Sequence, residues 1–413
     1  MLLASLLFAA TVSCQPMKGT CEAPVAANTV VDSVGVNIHL HSGDTIYGNY
    51  PLIKTLLSDL GALHTRDGLI DTTWQPYYKR HIELSSIGIK CLFITSPSQS
   101  SALLASWPKR VPGAFEGYEA PNEYDGSRDS GWAATLAAFM QRLYSAAKSN
   151  STTAHFPIIG PSLTQPGSYP LAAGLQHYFN YANMHNYFGG HNPGTSGWGP
   201  DGYGSIAYNL KKVQAAWPQK PVWSTETGYL TNTSNPQGIP ETVEGKYAPR
   251  MVLEQLLHGV SRTYIYELID EGKMIAGDSG AYGLARVDGS RKPAFIAIKN
   301  LLAELKDPGA RRTPNNLQFT LSGGSDDVHH LLISKRDGSY YLAFWLEKEG
   351  YDANKHIETP SKPEALTFVT PRSFQTMQII SMHADGSLTQ TSLQPAARLP
   401  LEATDCVTLL KLR

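Results

Sequence analysis

Between residues 34 and 305, apolar strand-like runs and amphipathic helical runs alternate eight times, and no other feature of the chain narrows its fold as much. The strand candidates are SVGVNIHL (33–40), ALHTRDG (62–68), IKCLFIT (89–95), GAFEGYEAPNE (113–123), FPIIGPS (156–162), YANMHNYF (181–188), KPVWSTETG (220–228) and RTYIYELID (262–270). Each is followed by a stretch with helical spacing, the clearest being GWAATLAAFMQRLYSAAKS. Such alternation implies parallel strands joined by right-handed crossovers. Eight units of this length fit a (β/α)8 TIM barrel over residues 28–306, an α/β fold. A doubly wound open sheet is the competing architecture, but no Gly-rich phosphate loop follows the first strand.

After KDPGARRTPNN (306–316) the texture changes to short β-rich runs separated by turns, with RDGS a strong hairpin signal. This predicts a smaller C-terminal antiparallel β-sandwich over 307–413. At the other end, MLLASLLFAATVSCQ reads as a secretory leader within residues 1–27: apolar, too short to span a bilayer, and followed by small residues. The expectation is a secreted, periplasmic or cell-surface protein, and TVSC makes Cys14 a candidate for lipid anchoring. Cys14, Cys21, Cys91 and Cys406 match no zinc or redox spacing, which predicts free, buried thiols and no disulfide framework. The formal net charge of −1 leaves no basic surplus for nucleic acid or anionic lipid. Aromatic residues make up 10% of the chain, which suits stacking against sugar rings as well as core filling.

Catalytic groups of a barrel of this kind sit at the C-terminal ends of its strands. The polar residues there are His39 (first strand), Arg66 and Asp67 (second), Asn122 and Glu123 (fourth), His185 and Tyr187 (sixth), Glu226 (seventh), and Glu267 and Asp270 (eighth). Their gathering at one end makes a candidate site where a single one would not. Strand parity predicts that His185 and Tyr187 share a face. The same rule puts Val222, Ser224 and Glu226 on one face, with Trp223 and Thr225 turned to the helices. Two carboxylates in one pocket suit a division of labour between a protonated general acid and an ionised nucleophile, the pair used in glycoside hydrolysis.

Asn122-Glu123 at the end of the fourth strand, Glu226 in STETG at the end of the seventh, and Arg66 after the second resemble the signature of glycoside hydrolase clan A, which comprises retaining (β/α)8 enzymes. His185 and Tyr187 fit the same pattern, and EAPNE is most similar to the E-x-W-N-E of family 39, with Pro121 in place of Trp. The sandwich tail is similar to those of families 39, 30, 51 and 79. The resemblance implies that Glu123 is the acid/base, Glu226 the nucleophile and Asn122 a ligand of the sugar 2-hydroxyl. It further implies that Arg66 and Tyr187 keep Glu226 ionised and oriented, and that His39 and His185 line the cleavage subsite. The clan's aromatic platform after the eighth strand has no Trp counterpart here, leaving Tyr266, Glu267 or a loop residue to serve. No metal or organic cofactor is implied, and the expected partner is a carbohydrate.

Simpler readings stand beside these. Glu119, four residues before Glu123, is expected to pair with an Arg or Lys or to support Glu123. His39 and His41 form an H-x-H, but no third zinc ligand with suitable spacing follows. Trp198, in the Gly-rich loop after the sixth strand, is a candidate stacking platform, as are Trp132 and Trp74, with core packing the alternative for each. Asn150 and Asn232 would accept glycans only in a eukaryotic secretory route. The functional readings are a retaining glycoside hydrolase, a transglycosylase sharing its covalent intermediate, or a non-catalytic carbohydrate-binding protein on a barrel scaffold.

Overall fold

A computed structural model describes residues 20–272, 280–310 and 313–413; the leader candidate up to residue 19, with Cys14, lies outside them. All eight expected barrel strands are present: β1 (Val34–Asn37), β2 (His64–Gly68), β3 (Lys90–Ile94), β4 (Phe115–Glu119), β5 (Ile158–Ile159), β6 (Ala182–His185), β7 (Val222–Thr227) and β8 (Val260–Ile265). Every pairing between them is parallel, from β5 through β4, β3, β2, β1, β8 and β7 to β6. A parallel bridge between Ile159 and Tyr181 closes the barrel, with Gly160 N donating to Tyr181 O at 2.8 Å. β5 is short because Gly160-Pro161 ends it, proline having no N–H for a ladder. The helix expected after it is instead a run of 3₁₀ turns over Pro166–Tyr178, broken by Pro170.

The helices that enclose the barrel are α1 (Tyr50–Leu60), α2 (Gln75–Ser86), α3 (Ser101–Arg110), α4 (Trp132–Lys148), α5 (Ile206–Ala216), α6 (Glu241–Leu257) and α7 (Pro293–Leu305). They bury a single large apolar cluster against the outward face of the strands. The interior of the barrel is filled in layers. At the bottom, Arg262 binds Asp32 and Glu116, with His64 between the same two carboxylates. Above them Leu92, Ile159, Trp223 and Tyr264 form an apolar plate. Over the plate lies a buried polar layer that carries the mouth of the barrel.

The C-terminal region is a two-sheet sandwich, as expected, but it borrows from the N-terminus. Thr20–Glu22 pairs with Leu317–Gly323, and Val25–Ala26 pairs with Val328–Ser334. Residues 20–26, grouped with the leader in the sequence reading, are therefore strands of this unit. The RDGS hairpin joins Val328–Ser334 to Tyr340–Leu346, with Gly338 at φ 87°. The six-stranded sheet presents Tyr341, Trp345 and Leu409 to Leu253 of α6 and to Leu301 and Leu305 of α7. Beside this apolar seam, Glu347 accepts from Arg250 Nε at 2.9 Å and Nη2 at 2.5 Å, and from Trp345 Nε1 at 2.8 Å. It also accepts from Asn192 Nδ2 at 2.7 Å and from the Gly194 N–H at 2.9 Å, in the loop after β6. The sandwich thus braces a loop at the C-terminal end of the barrel strands.

Arg250 is fully buried, so Glu347→Ala strands a cation in a low-dielectric site, at a cost of about 3–5 kcal/mol. Urea denaturation of the full chain is expected to show that loss, with most of it recovered in the Arg250→Met/Glu347→Leu double variant. A single variant as stable as the parent would show that the pair does not secure the interface.

Candidate active site

Arg66 rises from β2 into the polar layer, and its guanidinium uses all five N–H donors. Nε and Nη2 bind both oxygens of Glu119 at 2.8 Å. Nη1 binds Asn37 Oδ1 at 2.8 Å and Glu226 Oε2 at 2.9 Å, and Nη2 also binds Asn122 Oδ1 at 2.6 Å. This is the bidentate geometry that favours Arg over Lys. Glu119 is fully buried and takes the first of the two roles expected of it, an ion pair with an Arg, here Arg66; it also accepts from Asn183 Nδ2 (3.2 Å) and Thr225 Oγ1 (2.9 Å).

Glu226 is held at both oxygens, Oε2 by Arg66 and Oε1 by the Tyr187 hydroxyl at 2.8 Å. Burial alone would raise its pKa. The positive charges of His185 and Arg66 and the donated hydrogen bonds outweigh burial and hold the carboxyl below its usual range. Burial and the neighbouring Glu226 push the Tyr187 phenol well above its ordinary value, so it stays a donor.

The side-chain parity expected for β7 is corrected by the structure. Trp223 points into the barrel, packed on Leu92 and Tyr264, and Thr225 also points inward, bonded to Glu119, Asn183 and His185. The pairing register shifts between Met184 and His185 opposite Ser224 and Glu226, and a second irregularity lies on the β8 side. This bulge lets both Thr225 and Glu226 face the mouth, whereas strict alternation would allow only one of them. By Thr227 the chain has turned outward, to the sulfur of Met251 on α6.

Glu123 lies four residues beyond the end of β4, in the left-handed region at φ 43°, ψ 43°. A non-glycine residue there is uncommon and concentrates at functional positions. Its N–H donates to Ser162 Oγ at 3.3 Å, and Oε1 lies 2.7 Å from His185 Nδ1. His185 Nε2 faces Thr225 Oγ1 at 3.1 Å. The threonine hydroxyl directs its proton at Glu119 or Asn183 Oδ1, both acceptors, so Nε2 must carry a proton. Nδ1 is then bare when His185 is neutral and receives the carboxyl proton of Glu123. When the histidine is charged, Nδ1 donates to the carboxylate instead. In either state His185 Nδ1 occupies Oε1, and Oε2 of Glu123 is left for the cavity.

Atoms of Glu123, His185 and Glu226 lie within 4.8 Å of one another. That is close enough to ligate an ion, as are those of His39, His41 and Asp67. Asp67, however, is committed to His41 at 2.8 Å, His81 at 3.2 Å and the Leu40 N–H. Asp67 is thus a buried support, and Asp270 likewise pairs with Lys292 at 2.7 Å. His39 Nε2 is 3.4 Å from Glu267 Oε2, which also accepts from Tyr47 at 2.7 Å. Burial lowers the pKa of His39 to about 4, so it meets any ligand as neutral imidazole.

Tyr266 and Tyr282 pack edge-on to each other, Tyr266 against His39 and Tyr282 against Tyr187. They form an aromatic wall where the sequence lacks a Trp. Trp198 stacks on His191 and meets Tyr203 edge-on. Tyr203, not Trp198, lines the cavity of about 170 Å³ that contains Glu123, His185 and Tyr187. Trp74 lies under Arg80, and Trp132 packs on the main core. A larger cavity, about 830 Å³, opens at the opposite end of the barrel around Leu57, Leu63 and Ile87, away from all of these groups.

Asn37, Tyr47, Asn183, Thr225 and Tyr282 are site residues the sequence reading missed. Asn37 and Asn183 carried a signal, each two residues before a histidine already chosen and so on the same strand face.

Among solved structures, the chain is similar to a family 39 glycoside hydrolase from Bacteroides cellulosilyticus WH2, with a TM-score of 0.64 and 16% identity over 94% of this chain and 82% of that one. It is similar to the family 39 enzyme from Xanthomonas axonopodis pv. citri, with a TM-score of 0.62 and 15% identity over 95% and 96% of the two chains. A monomeric β-xylosidase from Caulobacter crescentus CB15 aligns at a TM-score of 0.59 and 15% identity, over 95% and 97%. At these identities the likeness establishes a common fold, barrel and sandwich together. No family model and no curated protein matches the sequence.

The depressed pKa of Glu226 means its ionised form is present at neutral pH and is lost only as pH falls through that lowered value. Tyr187→Phe removes a hydrogen bond to a charged acceptor, worth about 1.5–3 kcal/mol. A carbon-13 NMR titration of the Glu carboxyls is expected to show the most depressed one rising by about one pH unit in the variant. A titration curve that does not move would remove Tyr187 from the support of Glu226.

Proposed function

We propose that this chain is a secreted retaining glycoside hydrolase that cleaves O-glycosidic bonds of an oligosaccharide or polysaccharide. One observation carries the reading: a carboxylate oxygen of Glu123 and one of Glu226 lie within 4.8 Å of each other, with the two carboxyls held in opposite ways. Retaining enzymes place their carboxyls about 5–5.5 Å apart, whereas inverting enzymes need about 6.5–9.5 Å to admit a water.

Glu226, ionised and fixed at both oxygens, is the nucleophile that attacks the anomeric carbon. Glu123, bonded through Oε1 to His185, gives its carboxyl proton to the departing oxygen and then takes one from the water that releases the sugar. Asn122, its Oδ1 pinned by Arg66, has its amide free to bind the sugar 2-hydroxyl. His39 and Glu267 offer a neutral donor and an acceptor to the remaining hydroxyls. Export is supported by the apolar N-terminal run; among the described residues, no helix is long and apolar enough to cross a membrane.

The test is a panel of aryl glycosides, beginning with β-xylosides, assayed with the parent, Glu123→Ala and Glu226→Ala. Glu226→Ala is expected to be inactive. Glu123→Ala should lose about 10²–10⁴-fold on substrates with poor leaving groups, and azide should restore turnover of activated ones as a glycosyl azide. A parent that binds glycans but cleaves none would establish a carbohydrate-binding protein instead.

A further inference from the structure

The cavity beside Glu123 contains a cation that cleavage of a neutral glycoside would leave idle. Glu123 lines this cavity and Glu226 does not. On the reading above, a proton donor stands on the side of the departing group, so this is where the leaving sugar sits. Tyr169, Tyr203 and Tyr208 supply ring faces and edges, and Lys212 completes the lining from α5.

Lys212 lies one helical turn beyond Tyr208, and its ammonium stands 5.1 Å from the centre of that ring. The contact fixes the charge at the cavity without neutralising it. Among the described residues Lys212 forms no salt bridge, and Glu123 is the one carboxylate in the lining. Asp125, on the same loop, is not in the lining; its carboxylate accepts from the Thr164 and Gln165 N–H groups and the Thr164 hydroxyl.

We propose that this site takes a leaving sugar bearing a carboxylate, a uronic acid unit, with Lys212 as its counter-ion and Tyr208 and Tyr203 against its ring. This proposal rests on the glycosidase reading and deepens it. A neutral leaving sugar gains no such counter-ion.

The test needs no knowledge of the bond cleaved. Binding of sodium glucuronate and of glucose to the full chain is measured by ligand-observed NMR for the parent, Lys212→Met and Lys211→Met, the last a control on the exposed flank of the same helix. The parent and Lys211→Met are expected to bind glucuronate about 5- to 10-fold more tightly than glucose. That preference should shrink in high salt and vanish in Lys212→Met. Equal affinity for the two sugars, no binding of either, or a preference that survives in Lys212→Met overturns the proposal. The aryl glycoside panel is run on the same preparations. Failure to cleave any glycoside counts against the glycosidase reading, whereas cleavage without a glucuronate preference counts against the Lys212 site alone.

Discussion

The site depends on one guanidinium. Arg66 is buried beneath the barrel mouth with each N–H committed, and its partners come from four places in the chain: Asn37 on β1, Glu119 on β4, Asn122 in the loop after β4, and Glu226 on β7. A lone buried cation would cost several kcal/mol. Glu119, itself fully buried, offsets that charge with a two-point hydrogen bond. The fully paired core then leaves a second carboxylate, Glu226, to be drawn below its usual pKa. The ion pair that Arg66 forms with Glu119 neutralises the buried charge, and the one it forms with Glu226 lowers that carboxyl's pKa.

From that centre the remaining geometry follows. Glu119 anchors Thr225 and Asn183, Thr225 fixes which nitrogen of His185 carries a proton, and His185 in turn holds Glu123. Glu123 and Glu226 therefore sit at opposite ends of one hydrogen-bonded chain, Glu226 held by Arg66 and Tyr187 and Glu123 by His185. Two local departures from regular structure make this arrangement fit: the bulge in β7 and the left-handed backbone of Glu123. Farther out, Glu347 carries the support from the sandwich into the loop after β6, whose Tyr203 lines the cavity with Trp198 packed edge-on against it.

Much of this was legible in the sequence because buried parallel strands read as continuous apolar runs ending in polar residues, which located all eight strands, the carboxylate beyond β4 and the one near the end of β7. What was not legible has physical causes. A bulge leaves no compositional mark, so strict alternation turned Thr225 the wrong way while still placing Glu226 correctly. The Pro-punctuated 166–178 segment kept an apolar composition while proline removed the donors a regular helix needs. The strands at Thr20–Glu22 and Val25–Ala26 are too short to show periodicity and adjoin an apolar run that masks them. Tyr47 and Tyr282 approach the site from loops, whose paths local sequence does not encode.

The measurement that tests the central claim most directly is identification of the residue that bonds covalently to the sugar. An activated 2-deoxy-2-fluoro glycoside slows release of the intermediate, so intact-mass spectrometry and peptide mapping can locate the adduct. The account predicts one sugar per chain, attached to Glu226 in the peptide containing STETG, and lost on prolonged incubation with an acceptor. An adduct on Glu123 or Glu119, or turnover that inverts the anomeric centre without any adduct, would contradict it.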